Sequence, residues 1–209
     1  MVRRRKIGPN ARSYTGRHIC ADGRTVRFES KLERDFLVLV RSRSDVLEVV
    51  EQPFTLEYRD SRGRRRRYTP DFLVRYGHKT SLYEVKFRAE LRQNWDRYRD
   101  ALGYARAWAR DNGMRFKLVT ERVLRRTPLE NARILELHRG LPPDPREAEG
   151  ILAELDGGAW TIGHLAKSLY PDPAHRGLFW QTLWRLIASG QVAGDLEKPI
   201  GMDFVIWKP

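Results

Sequence analysis

A short run of acidic and basic residues, Tyr83-Glu84-Val85-Lys86, lies in a segment that alternates like a β-strand. Because strand side chains alternate between faces, Glu84 and Lys86 share one face and their apolar neighbours share the other. The core would take the apolar face, so we expect the charged pair to face a cleft. Asp71 begins the preceding strand pattern. The two strands would pair as neighbours, so we expect the carboxylates of Asp71 and Glu84 to converge.

Two close carboxylates repel each other unless a cation lies between them. Mg²⁺ prefers oxygen ligands, and such an ion can activate a water molecule and neutralise charge on a phosphodiester. The backbone carbonyl of Val85 would supply a further oxygen ligand. Lys86 would orient the water, hold the scissile phosphate or stabilise the transition state. The expected cofactor is therefore Mg²⁺, which Mn²⁺ could replace.

Glu33 is the third candidate ligand. It lies on a helix predicted over residues 30–40, one position past the apolar Leu32, and could reach over the sheet to the metal. The run from Ser30 to Glu33 also matches a capping box, which by itself explains Glu33 better than metal binding does.

Each fragment also has a purely structural interpretation. A Glu-x-Lys strand is commonly a surface ion pair, and a Pro-Asp pair is commonly a turn or a strand start. The ordered set of a helix Glu, a Pro-Asp and a Glu-x-Lys one hairpin later is more specific. In so basic a chain, this set favours a metal-dependent nuclease.

The charge of the chain indicates a polyanionic partner, most commonly nucleic acid. Forty lysine and arginine residues oppose 27 acidic residues, which gives a formal net charge of +13. A run of four cations, Arg64, Arg65, Arg66 and Arg67, precedes the candidate site, either as a solvated hairpin or as the phosphate clamp that we favour. Residues 1–27 are predicted to form a basic arm. Gln52 is either a hydrogen-bonding neighbour of the carboxylates or an ordinary strand-edge residue.

Several other classes of protein are disfavoured. A single cysteine, Cys20, cannot form an internal disulfide, and the five histidines lack the spacing of zinc ligands. No apolar run approaches the roughly 20 residues of a membrane span. The basic N-terminus has no apolar stretch behind it, so we predict a cytoplasmic protein without a secretion signal or a membrane partner.

The order of predicted elements indicates an α/β fold. After the helix at 30–40 come strands at 53–59, 64–76 and 81–87, a helix at 90–110, a strand at 116–120 and a helix at 129–137. This order predicts a mixed sheet flanked by helices. Prolines at 142, 143 and 145 indicate a linker. It would separate a nuclease domain at 28–140 from a small domain at 146–209.

The second part has the pattern of a winged helix-turn-helix. Helices are predicted at 147–155, 161–169 and 174–188, with strand signals near 191–192 and 204–207. The third helix has only Arg176 and Arg185 as fixed positive charges beside several aromatic residues. That composition is poor for reading the major groove, so we favour protein docking by this domain.

The sequence resembles the TnsA-type endonuclease subunit of heteromeric, Tn7-like transposases. The resemblance runs from about residue 28 to residue 138 and more weakly to the C-terminus. The segments that carry it are Glu29-Ser30-Lys31-Leu32-Glu33, Glu51-Gln52-Pro53-Phe54, Tyr68-Thr69-Pro70-Asp71-Phe72-Leu73, Tyr83-Glu84-Val85-Lys86, Leu118-Val119-Thr120-Glu121 and Pro128-Leu129-Glu130-Asn131.

The resemblance implies a restriction-endonuclease-like domain of the PD-(D/E)xK superfamily and a C-terminal winged helix. It implies Mg²⁺-dependent cleavage of the strand that the transposase leaves uncut at transposon ends. It also implies DNA, a TnsB-like transposase and a TnsC-like AAA+ regulator as partners.

Matched residue by residue, Glu33, Asp71 and Glu84 fall on metal-ligand positions and Lys86 on the catalytic lysine. Some members of the family have Gln in place of Glu84, and Glu is the ordinary acid of the superfamily. The C-terminal part is short for the family. Two alternatives remain open: a stand-alone phage, repair or restriction-type nuclease, and a non-catalytic DNA-binding assembly factor.

Overall fold

A computed structural model describes residues 15–19, 25–124 and 126–209. The chain forms two compact units, which divide between residues 124 and 125. Of the predicted basic arm, residues 1–14 and 20–24 lie outside the described residues, as does Cys20. The rest of the arm is structured, because Gly16–Ile19 (β1) pairs with Thr25–Phe28 (β2) as an antiparallel hairpin. Val26 and Phe28 are buried in the core of the first unit.

The first unit is built on a four-stranded mixed sheet of order β3-β6-β7-β8. Its strands are β3 (Val46–Glu51), β6 (Phe72–Tyr76), β7 (Thr80–Val85) and β8 (Arg115–Val119). The first three are antiparallel neighbours, and β8 runs parallel to β7. Strand β3 is absent from the sequence-based prediction, whereas the strands predicted near β7 and β8 are confirmed.

Helices cover both faces of this sheet. They are α1 (Lys31–Arg41), α2 (Arg88–Gln93) and α3 (Trp95–Asp111). One apolar cluster joins α1 to the face of β7 that carries Tyr83 and Val85, and a second cluster surrounds Leu102 on α3. The expected mixed α/β architecture is therefore confirmed, and it fits a restriction-endonuclease-like fold.

A separate two-stranded hairpin packs against α3. It consists of β4 (Leu56–Arg59) and β5 (Arg65–Tyr68), with Leu56 and Tyr68 in the same apolar cluster as α3. Gly63 has φ 75°, a value that favours glycine in the connecting turn. The prediction of one strand over 64–76 is wrong: residues 69–71 separate β5 from β6. Pro70 contributes to the break, because it has no N–H to donate to a sheet.

The second unit is mainly helical. Its elements are α4 (Arg126–Glu136), α5 (Pro145–Leu155), β9 (Trp160–Thr161), α6 (Ile162–Leu169), a short 3-10 helix (Pro173–His175), α7 (Gly177–Ser189), β10 (Ala193–Gly194) and β11 (Val205–Trp207). The strands form an antiparallel sheet of order β10-β11-β9. Phe179, Leu183 and Ile151 lie at the centre of the core. The predicted cap at Thr161 is confirmed by its bond from the His164 amide.

Helix α4 belongs to this second unit. The sequence-based division had placed it in the first domain, at 28–140. Leu135 packs into the C-terminal core. The buried Asn131 side chain donates to the carbonyls of Leu196 at 2.9 Å and Lys198 at 2.7 Å, and accepts from the Ile200 amide at 3.2 Å. The prolines between α4 and α5 therefore lie inside the unit. Among the described residues, no helix is long and apolar enough to cross a membrane.

Candidate active site

Asp71, Glu84 and Lys86 meet at one end of the central strands. Phe72 pairs with Tyr83, so Asp71 just before β6 lies level with Glu84 on β7. The Lys86 ammonium lies 3.2 Å from Asp71 Oδ2, 3.1 Å from Glu84 Oε1 and 3.3 Å from the Val85 carbonyl oxygen. The Val85 amide also donates to Asp71 Oδ2 at 2.8 Å. The predicted convergence of these side chains is therefore present.

These contacts bear directly on the predicted metal. The Lys86 nitrogen is surrounded by three of the oxygens expected to be ligands, from Asp71, Glu84 and Val85. Carboxylate and carbonyl oxygens are the hard donors that Mg²⁺ prefers. The donor set thus fits a hard divalent cation, and its members already converge around a single positive charge.

Glu33 is held differently. Its Oε1 accepts from the Ser30 hydroxyl at 3.0 Å and its Oε2 from the Glu29 amide at 2.7 Å, while Ser30 caps the Glu33 amide. The capping box is therefore formed. Within 15–19, 25–124 and 126–209, no group of three or more His, Cys, Asp or Glu residues is arranged to hold a metal. The structure brings Asp71 and Glu84 together and leaves Glu33 on its cap.

Glu84 is the buried member of the site, whereas Asp71 and Lys86 are half-buried. Glu84 is only 3% exposed, because α3 and the β4–β5 hairpin cover its face of the sheet. Burial, followed by the charge of Asp71, raises the pKa of Glu84 and that of Glu33, each to about 7. Burial also raises the pKa of Asp71, although Lys86 opposes this. The cluster of carboxylates is therefore short of positive charge.

Lys86 remains charged within this cluster. Burial alone would lower the pKa of its ammonium, but the charges of Asp71 and Glu84 outweigh that effect and raise it. A charged lysine in contact with both carboxylates can also bind a phosphate oxygen. The lysine therefore supplies the only cation in direct contact with both carboxylates among the described side chains.

Tyr68 is a member of the site that the sequence did not reveal. Its hydroxyl donates to Glu84 Oε2 at 2.6 Å, and both groups are buried. Burial, and then the neighbouring charge of Glu84, raises the pKa of Tyr68, so the phenol stays protonated. In the sequence, Tyr68 lies between a run of arginines and Pro70, and this position does not predict a contact with β7.

Gln52 forms hydrogen bonds with the Asp71 backbone and with the Glu29 side chain. The Gln52 amide donates to the Asp71 carbonyl at 2.8 Å, and its side chain donates to Glu29 Oε1 at 3.2 Å. The charge of Glu29 contributes to the raised pKa of Asp71. Gln52 also has φ 41°, a conformation that is uncommon outside glycine. These two bonds reach the Asp71 backbone and Glu29, not the carboxylates of Asp71 and Glu84, so the suggested role of Gln52 beside those carboxylates stays a prediction.

The four arginines of residues 64–67 are exposed on the β4–β5 hairpin. Arg64 and Arg66 each lie 3.0 Å from the same Asp60 oxygen, and Arg67 pairs with Glu57 at 3.1 Å. Strand alternation places Arg65 and Arg67 on the face opposite Tyr68. The hairpin therefore presents a basic surface one residue away from a contact with Glu84.

Residues 43–121 match the family model described as TnsA-like endonuclease N terminal. This segment is therefore similar to TnsA-like endonuclease domains. The resemblance inferred from the motifs is confirmed over these residues, and it supports a nuclease. The TnsA-like segment includes Asp71, Glu84 and Lys86, whereas Glu33 lies outside it. No curated protein gives a match to the chain.

Proposed function

We propose that the chain is a Mg²⁺-dependent DNA endonuclease that hydrolyses phosphodiester bonds at transposon ends. It would cut the strand that a TnsB-like transposase leaves uncut, within a complex that also contains a TnsC-like AAA+ regulator. The single observation that carries the nuclease assignment is the meeting of Asp71, Glu84 and Lys86 within a TnsA-like domain.

Asp71, Glu84 and the Val85 carbonyl would hold the cation, and Mn²⁺ would serve in place of Mg²⁺. Glu33, whose oxygens here accept from Ser30 and Glu29, is the third proposed acidic ligand. The bound ion would supply charge neutralisation and a more acidic water molecule. Lys86 would hold a non-bridging oxygen of the scissile phosphate and stabilise the negative charge that develops there.

The β4–β5 hairpin is the proposed surface for the DNA backbone. Arg64, Arg65, Arg66 and Arg67 are exposed there, and phosphate contacts of this kind position a duplex without reading its sequence. Asp60 orients two of these side chains through Nε, and their terminal nitrogens would contact the phosphates. The hairpin would therefore act as a phosphate clamp next to the cleavage site.

We further propose that the second unit is a winged helix-turn-helix that docks to protein. Its three helices α5, α6 and α7 and the small β9–β10–β11 sheet support this assignment. Arg176 is buried and donates to the carbonyls of Tyr170 and Pro171, while Arg185 donates to the Pro142 carbonyl. Both arginines of the predicted third helix thus donate to backbone carbonyls of the same unit, which favours a protein such as the regulator over a DNA groove.

The test is cleavage of a transposon-end duplex by the purified chain with Mg²⁺, with and without the transposase. Lys86→Ala should abolish cleavage, whereas Lys79→Ala, which changes a half-buried lysine over the Tyr76 ring, should not. Cleavage by the chain alone would favour a stand-alone nuclease. Normal transposition in cells with Asp71→Ala would refute catalysis and favour an assembly factor.

A further inference from the structure

The two oxygens of the Glu84 carboxylate have different partners. Oε2 accepts the hydrogen bond from the Tyr68 hydroxyl at 2.6 Å, and Oε1 lies 3.1 Å from the Lys86 ammonium. One oxygen thus faces a neutral donor and the other faces a cation. Because Glu84 is buried, water cannot take the place of either partner at low cost.

This division limits how Glu84 can bind an ion. A carboxylate with both oxygens free can rotate, or bind a cation through either oxygen or both. The buried Oε2 keeps a hydrogen-bond partner only while the Tyr68 hydroxyl donates to it. This bond holds Oε2 toward Tyr68, so Oε1 is the oxygen that can turn to the cation. Partners that orient a metal ligand in this way commonly matter almost as much as the ligand.

We propose that Tyr68 is a positioning residue that fixes Glu84 so that Oε1 alone faces the cation and Lys86. The inference rests on the proposed function, because it requires a cation at Asp71 and Glu84. Tyr68 acts through Glu84 and touches neither DNA nor metal. Since the same strand carries Arg65 and Arg67 on its other face, Tyr68 also joins the proposed DNA-binding hairpin to the carboxylate.

The chain offers a matched control for this role. The Tyr76 and Tyr83 hydroxyls form a buried hydrogen bond of 2.6 Å, as long as the bond from Tyr68 to Glu84. It lies within the four-stranded sheet that carries Glu84. Both of these rings, from β6 and β7, pack in the cluster that includes α1, on the face of the sheet opposite to Glu84. Tyr76→Phe therefore removes a comparable bond without touching the site, and Tyr68→Phe keeps the ring that packs against α3.

The experiment is a titration of the full chain with Mn²⁺, followed by electron paramagnetic resonance, for wild type, Tyr68→Phe and Tyr76→Phe. We expect the dissociation constant to rise by about 10- to 100-fold in Tyr68→Phe and to change by less than about twofold in Tyr76→Phe. No change in Tyr68→Phe, or equal losses in both variants, would overturn the inference. A wild-type chain that binds no Mn²⁺ would instead refute the proposed cation site itself.

A double-mutant cycle separates positioning from a general effect on the fold. If Tyr68 acts through Glu84, Tyr68→Phe should have no further effect on Mn²⁺ binding in a Glu84→Ala background, which lacks the oxygen that Tyr68 positions. Additive losses would contradict the inference. A second measurement keeps the Tyr68 hydroxyl and covers the case in which Tyr68→Phe fails to fold. Fluorotyrosine placed at position 68 alone should show a shifted fluorine resonance on addition of Mg²⁺, and an unmoved resonance would overturn the role.

Discussion

Replacing Glu33 with glutamine should stabilise the metal-free protein in a pH-dependent way. The pKa of Glu33 is raised from 4.5 to about 7 in the folded state by burial and by Asp71. The folded state therefore binds this proton more tightly than the unfolded state does. The resulting stabilisation is complete below about pH 4.5 and is lost as the pH rises through about 7. At higher pH an ionised Glu33 weakens the fold, and glutamine removes that charge.

The size of the effect follows from the two pKa values. A shift of about 2.5 units is worth about 3 kcal/mol at 1.36 kcal/mol per unit, of which about 2.5 kcal/mol falls between about pH 5 and about pH 8. Glutamine keeps an acceptor for Ser30 but loses one for the Glu29 amide, at a cost of about 1 kcal/mol at either pH. The variant should thus match wild type near pH 5 and exceed its stability by about 2 kcal/mol near pH 8.

The assay is urea unfolding in the presence of a chelator at both pH values. The folded fraction of the first unit is read from pulsed hydrogen exchange of peptides from α1 and β7, which separates it from the second unit. Titrating groups that do not interact with Glu33 contribute equally to both proteins, so they cancel in the difference between variant and wild type. The interaction of Glu33 with Asp71 is part of the measured effect. Millimolar Mg²⁺ should stabilise wild type at the higher pH more than it stabilises Glu33→Gln.

A stability difference that does not change with pH would refute this reasoning, because it would show that Glu33 ionises normally in the fold. Equal stabilisation of both proteins by Mg²⁺ would separately contradict the proposal that Glu33 is a ligand. The control is Glu57→Gln on the exposed hairpin, which removes no buried charge and should not reproduce the gain in stability near pH 8.

Three further outcomes are expected. Lys86→Ala should lower the cleavage rate by about 10²- to 10³-fold in a duplex-cleavage assay, and near-normal cleavage would contradict a role for the lysine at the phosphate. Arg65→Gln should reduce the slope of log affinity against log salt in duplex binding by about 1, whereas an equal effect of Arg146→Gln in the second unit would contradict a specific clamp. Asn131→Ala should destabilise the second unit by about 2–3 kcal/mol, because three hydrogen bonds are lost. The measurement is urea unfolding followed by hydrogen exchange of α7 peptides, and Mn²⁺ binding should not change.

The convergence of Asp71, Glu84 and Lys86 could be predicted because it depends on local rules. Alternation along a strand puts Glu84 and Lys86 on one face, and a short hairpin between β6 and β7 fixes the register that brings Asp71 beside them. The capping box at Ser30 was equally visible, since it spans four consecutive residues. Sequence could not decide between this cap and a metal ligand, and the structure forms the cap.

The position of the boundary between the two units could not be predicted from the sequence in the same way, because it depends on contacts between residues that are far apart in the chain. Asn131 bonds to backbone groups more than sixty residues away, near Leu196 and Ile200. Prolines 142 and 143 are strong local signals for a linker, but burial of Leu135 in the C-terminal core places the division before α4. Packing over long sequence distances outweighed the local signal.

The sequence by itself determined the kinds of side chain at the site, the strand that carries Glu84, and the basic character of the hairpin. Only the tertiary structure decided that Glu84 is buried and that Tyr68 donates to its Oε2. It also decided that the Lys86 ammonium contacts oxygens of Glu84, Asp71 and Val85. The physical reason is that periodicity fixes which face a residue takes within its own strand. What covers that face depends on helix α3 and the β4–β5 hairpin, which pack against it from elsewhere in the chain.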